Sequence, residues 1–190
     1  MKPKDDKKLA SIERATYALV QESGLMPLTL AAIARAAGIA TSTLYIYYPS
    51  KEALLDALYE RAKSATFERL TRGAGTELAP KLRIRQIWLN MLNNRLDHPA
   101  EMVFQEQYVS SRFMSESNRE LGKRFVREFD EVLEAGRRDH ILKAVALPFL
   151  GACILGSVRE TARLVAAGIL PDDESTRTTG FQLCWDALKA

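Results

Sequence analysis

The run LAAIARAAGIATSTLY, residues 30–45, admits very few folds. Leu30, Ile33, Ala34 and Ala37 recur at helical spacing, with Thr29 placed to N-cap them and Leu28 to staple against Ile33. Gly38 ends that pattern after about two turns. A second short helix then spans about residues 41–47, and YPS closes it because Pro49 disfavours helical geometry at Tyr48. Two helices of seven or eight residues joined by a tight glycine-containing turn are the signature of a helix-turn-helix. Ala31, Ala32, Ala34, Ala36 and Ala37 let the two helices approach closely, and Ile33, Ile39 and Leu44 are placed to form the small core between them.

The flanking sequence keeps the helical period. Leu9, Ile12, Ala15 and Leu19 recur at three and four over residues 7–23, with Gly24 as the stop. Ser50 is placed to cap a longer helix over residues 51–70. The segment TRGAGTELAP, residues 71–80, gathers turn formers and marks a change of subregion. Beyond it the spacing predicts helices at about 81–96, 100–113, 117–138, 144–167 and 174–188. No run of strict alternation is long enough for a sheet. The expectation is an all-α protein of about nine helices, with a helix-turn-helix module over residues 1–51 and a helical body over residues 52–190.

Charge locates a partner. Of 27 Lys/Arg and 24 Asp/Glu, residues 1–51 hold seven basic against four acidic, so the net charge of +3 belongs entirely to the first quarter. That asymmetry fits a nucleic-acid module on a neutral body. The hydroxyls of the second short helix fit the same role. Thr41, Ser42 and Thr43 crowd its start, where a helix terminus favours a phosphate and where side chains of a helix-turn-helix face base edges. Tyr45 and Tyr47 offer a phenol to phosphate and a ring to sugar or thymine methyl. Lys51 is placed as a phosphate clamp. Three hydroxyls exceed what one cap requires, and tyrosines two residues apart cannot both face one core.

Other functions find little support. The histidines, His98 and His140, each follow an aspartate at a predicted helix end, where capping and the helix dipole explain them. There is no phosphate-binding glycine motif, no metal-ligand spacing and no nucleophile elbow, so the expectation is no enzyme activity, no cofactor and no metal. Cys153 and Cys184 lie in apolar patterns that make a thiol inert, and they imply a reducing cytoplasm. No charge-free stretch, the apolar residues 144–158 included, reaches the roughly 20 residues that span a bilayer, so no membrane association is expected. A helix-turn-helix kept only for protein contacts is the remaining rival.

Residues 9–58 resemble the DNA-binding domain of the tetracycline-repressor (TetR/AcrR) family of bacterial transcription regulators. The likeness rests on the first helix ending in ESG, on LTLAAIARAAGIATSTLY, and on YYPSKEALLDAL opening the fourth helix. It implies a homodimeric, all-helical repressor that sits on a palindromic double-stranded DNA operator and is released by a small-molecule effector bound in residues 52–190. The 51–70 helix would act as connector. DNA contacts would fall on Thr29, Thr41, Ser42, Thr43, Tyr45, Tyr47 and Lys51. One departure matters: the second short helix holds no Arg or Lys, so it cannot read guanine through two hydrogen bonds.

The resemblance also orders the weaker signals. Phe181, Cys184, Trp185 and Leu188 form one apolar stripe on the last helix. The helix before it is apolar nearly all round, with Ala152 and Gly156 one turn apart, and the family's last two helices form its dimer interface. These six residues are therefore expected at the interface, with an ordinary intrachain core as the alternative. Trp88, Met91, Phe104, Tyr108, Phe125 and Phe129 are the candidates to line a mostly apolar effector site, with Gln107 among the possible polar partners.

Overall fold

The computed structural model describes residues 6–190. Among them are nine helices: α1 (Asp6–Ser23), α2 (Leu30–Ala36), α3 (Thr41–Tyr47), α4 (Lys51–Thr71), α5 (Pro80–Asp97), α6 (Pro99–Val109), α7 (Glu116–Arg138), α8 (Leu147–Ala166) and α9 (Glu174–Leu188). The fold is all-α, as the periodicity predicts. Two boundaries move. α6 stops at Val109 because Ser111 turns its hydroxyl back on the Tyr108 carbonyl and accepts the Phe113 amide. α8 starts at Leu147, where Pro148 occupies the first turn without needing an amide partner.

Packing divides the chain into two compact units. One comprises the residues up to Ser64 together with His98–Gly122, the other Ala65–Asp97 with Lys123–Ala190. α4 and α7 each contribute to both. The division at residue 51 drawn from the sequence separates the helix-turn-helix segment from the rest, whereas packing adds the first two-thirds of α4 and all of α6 to the first unit.

The first unit is organised by α1, which packs on α2 and α6. Its core includes Ile12, Val20, Ile33, Leu44, Leu54, Leu58 and Phe104. Leu28 and Ile33 are both buried in it, where the staple places them. Thr29 caps α2 by accepting the Ala32 amide at 3.1 Å, and Ser50 accepts the Ala53 amide at 3.1 Å at the start of α4. A polar cluster lies inside this core. The Tyr108 hydroxyl donates to the Asp56 carboxylate and accepts from Asn118 Nδ2 at 3.2 Å. Burial, reinforced by the Asp56 hydrogen bond, raises the Tyr108 phenol above its ordinary pKa. Tyr59, stacked on Tyr108 at 4.6 Å, is pushed up to about 12 by burial and by its neighbour.

In the second unit α5, α8 and α9 pack mutually. Trp88 is fully buried, donates Nε1–H to Ser157 Oγ at 2.9 Å and meets Phe181 edge-on at 6.1 Å. Gly180 admits that indole, since a Cβ there would stand 2.9 Å from Trp88 Cη2. After α7 the chain turns back through His140, at φ 56°, and pairs with its own end: Lys143 N–H donates to Leu188 O at 2.9 Å and Ala190 N–H to Ile141 O at 3.0 Å.

The stripe Phe181, Cys184, Trp185 and Leu188 is part of this core. Their apolar area is covered by α5 and α8 of the same chain, the intrachain packing that the sequence left open as the alternative to an interface. Burial also pushes the Cys184 thiol up, away from thiolate reactivity. The exposed apolar side of these helices is a different one. α8 turns Leu150, Ile154, Val158 and Ala162 inward, leaving Phe149 73% and Leu155 52% exposed, with Leu183 of α9 at 69%. Ala152 is exposed and Gly156 half-buried.

A candidate nucleic-acid interface on the helix-turn-helix

The axes of α2 and α3 turn by 107° across the intervening break, inside the range of about 90–120° that defines a helix-turn-helix. Gly38 makes the turn possible. Its φ is +68°, and a Cβ there would meet no heavy atom within 4 Å, so the backbone conformation and not crowding calls for glycine. The Ile39 amide then bonds the Ala34 carbonyl at 3.0 Å and locks the turn. Leu44, fully buried, anchors the inner side of α3.

The outer side of α3 is defined by exposure. Thr41, Ser42, Tyr45 and Ile46 are exposed, Thr43 and Tyr47 half-buried, and Leu44 and Tyr48 buried. The four exposed residues fall at i, i+1, i+4 and i+5, which is one helical face. The N-cap of α3 is Ala40, with no side-chain capping bond. Within the described residues the hydroxyls of Thr41, Ser42, Thr43 and Tyr45 form no hydrogen bond, so capping does not account for them. Thr29, also exposed, accepts the Ala32 amide and still carries a hydroxyl hydrogen to donate. Tyr47 differs from Tyr45: its ring packs against the first unit's core. Ile46 is the residue of this face that sequence reasoning passed over.

Lys51 is engaged by the protein itself. Its ammonium donates to Leu25 O at 3.1 Å and Met26 O at 3.0 Å, and lies 4.9 Å from the centre of the Phe113 ring. Burial holds it below the usual lysine pKa, Arg112 pushes the same way and Glu52 opposes. Gln107 completes the arrangement by accepting the Leu25 amide at 2.7 Å. The loop leading into α2 is thus tied by one side chain of α4 and one of α6. Two of the three N–H groups of Lys51 serve this loop, so a phosphate clamp there would use the third. Lys51→Ala is expected to lower folding stability by about 1–2 kcal/mol in urea titrations, the lower part of the range for charge-assisted bonds at a partly solvated site. Unchanged stability would mean that the two carbonyl bonds carry nothing.

The residues expected around an effector are divided between the two units. Phe104 and Tyr108 are buried in the first unit's core, Phe104 against Tyr17 and Tyr108 in the Asp56 cluster. Trp88 and Met91 are buried in the second unit's core, Phe129 packs against it, and Phe125 stacks on Phe67 at 4.1 Å. Gln107 is occupied by Leu25. His98 stands at the N-cap of α6 without a side-chain capping bond. Among the described residues no group of three or more His, Cys, Asp or Glu is placed to hold a metal ion, and no single helix is long and apolar enough to cross a membrane.

An all-helical chain with this turn angle, a buried Leu44 and an uncharged outer face on α3 carries a helix-turn-helix. Residues 12–58 match the model of the bacterial regulatory proteins, tetR family. That match covers the helix-turn-helix segment and the start of α4. Over 105 residues it is 28% identical to the nucleoid occlusion factor SlmA of Pasteurella multocida, covering 51% of this chain and 53% of that protein. The SlmA of Mannheimia succiniciproducens is 28% identical over 100 residues, 46% of each chain. The chain therefore spans about half the length of the curated relatives it matches. Among solved structures, a TetR family transcription regulator from Marinobacter aquaeolei superposes with a TM-score of 0.89 at 22% identity, over 100% of this chain and 99% of that one. A TetR-family transcriptional regulator from Haemophilus influenzae superposes at 0.76 and 19% identity over 100% of both. At these identities the structures establish the shared fold.

Proposed function

We propose that the protein is a sequence-specific transcriptional repressor that places α3 in the major groove of a palindromic operator. The observation that carries this reading is the outer face of α3, where Thr41, Ser42 and Tyr45 stand exposed with their hydroxyls uncommitted. Such groups bond water in the free protein and are able to exchange it for phosphates and base edges. Thr29, Thr43 and Tyr47 flank that face, and the remaining N–H of Lys51 is within the same segment. Selection from a random duplex library tests the reading. The expected result is enrichment of two-fold symmetric sequences whose half-sites are about one helical turn apart. Recovery of no preferred sequence would refute it and favour a module used for protein contacts.

A palindromic operator requires a second copy of the chain. The exposed side of α8 and α9 supports a homodimer: Phe149, Ala152, Leu155, Gly156 and Leu183 present an apolar surface beside an open groove of about 550 Å³ lined by Thr161, Leu164 and Leu170. Phe149→Asp with Leu183→Asp is expected to give folded monomers in light scattering. These side chains are exposed in the single chain, so the fold is spared. A dimer that persists at micromolar concentration would place the interface elsewhere.

Release by an effector is the third part of the proposal. The half-buried Phe125, stacked on Phe67, and the half-buried Phe129 of the same helix are the expected residues left to meet a small and largely apolar ligand. Trp88, Phe104 and Tyr108 then support the fold and do not line the site.

A further inference from the structure

Ile46 is 79% exposed, the highest value among the large apolar side chains of the described residues. A lone exposed isoleucine is unremarkable on most surfaces. Here it lies on the face that α3 turns outward, one turn from Ser42 and beside Tyr45. The sec-butyl side chain of isoleucine has no donor or acceptor and no charge to offer a phosphate. α3 carries no acidic residue in its first turn and no basic one in its last, and its sequence, TSTLYIY, holds no charge at all. In the major groove the group that best complements an apolar side chain is the C5-methyl of thymine, where cytosine presents only a C5–H and the other edge groups are hydrogen-bond donors or acceptors.

We propose that Ile46 is a specificity-determining residue that reads a pyrimidine C5-methyl group in each half-site. This rests on α3 being the recognition helix, and it adds the chemistry of what that helix reads. Guanine recognition through paired hydrogen bonds from Arg or Lys is closed to this face, so discrimination falls to hydroxyls and to this apolar contact. The contact depends on the methyl group and not on the base's hydrogen-bonding edge. Uracil in place of thymine therefore removes it.

The experiment uses the full chain and the duplex enriched from a random library. Each thymine is replaced in turn by deoxyuridine, and affinity is measured for the wild type and for Ile46→Ala. One thymine per half-site is expected to show a loss of about 4-fold on replacement, the size set by burying one methyl group. Replacing both symmetry-related thymines should lose about 16-fold. In Ile46→Ala the penalty at that position should vanish, while penalties arising from Thr41 or Thr43 methyl groups elsewhere persist. Ile46→Val, which keeps a branched apolar group, should retain most of it. A wild type indifferent to deoxyuridine at every thymine, or a penalty undiminished at every position in Ile46→Ala, overturns the proposal while leaving sequence-specific binding intact. If no duplex is preferred over a scrambled one, the recognition helix assignment fails and this inference falls with it.

Discussion

Trp88→Ala is expected to cost about 3–5 kcal/mol of folding stability, the range for truncating a large buried aromatic. The side chain is fully buried, and it holds three helices together through distinct contacts: its own position on α5, the Nε1–H bond to Ser157 on α8, and the edge-on packing against Phe181 of α9. Removing it leaves a cavity that Gly180 cannot fill and leaves Ser157 without that donor. Domains of this size are stable by only about 5–15 kcal/mol, so the variant should be largely unfolded at moderate urea concentration. Chemical denaturation followed by circular dichroism measures the loss. A cost under about 1 kcal/mol would show that Trp88 borders open space, as an effector-site residue would.

The second large effect is on DNA. Replacing Thr41, Ser42 and Tyr45 together by alanine should leave stability within about 0.5 kcal/mol, because the three side chains are exposed and make no internal hydrogen bond. Affinity for the selected duplex should fall at least about 100-fold, since each base contact is worth about 1–3 kcal/mol. Affinity for unrelated DNA should change much less, because its source is phosphate neutralisation. Fluorescence anisotropy with both duplexes separates the two. Equal losses on both would mean that the face only positions the protein.

The helix-turn-helix was legible from local chemistry because each determinant lies within a few residues of the next. Thr29 caps where its spacing to Ala32 requires, and Gly38 takes the left-handed conformation that its place between two apolar patterns demands. The same holds for Ser50 ahead of α4. What local pattern could not give is the identity of the partner surface. Periodicity places Phe181, Cys184, Trp185 and Leu188 on one face, yet it is silent on whether α5 of the same chain or a second copy covers it. Lys51 reaches back 25 and 26 residues for its carbonyls, and Gln107 reaches back 82 for its amide. Such contacts follow from the return of α6 to the first unit, which also claims Phe104 and Tyr108. Ile46 was within reach: the offsets of Thr41, Ser42 and Tyr45 place it on their face, but attention to hydroxyls and aromatics passed it over.

The central claim is that α3 reads sequence. Its most direct measurement is the ratio of dissociation constants for a scrambled duplex and for the selected duplex, at one fixed near-physiological salt concentration. The account predicts a ratio of about 10³ or more, as for sequence-specific regulators generally. A ratio near one, with affinity falling steeply as salt rises, would contradict it and reduce the helix-turn-helix to a nonspecific electrostatic contact.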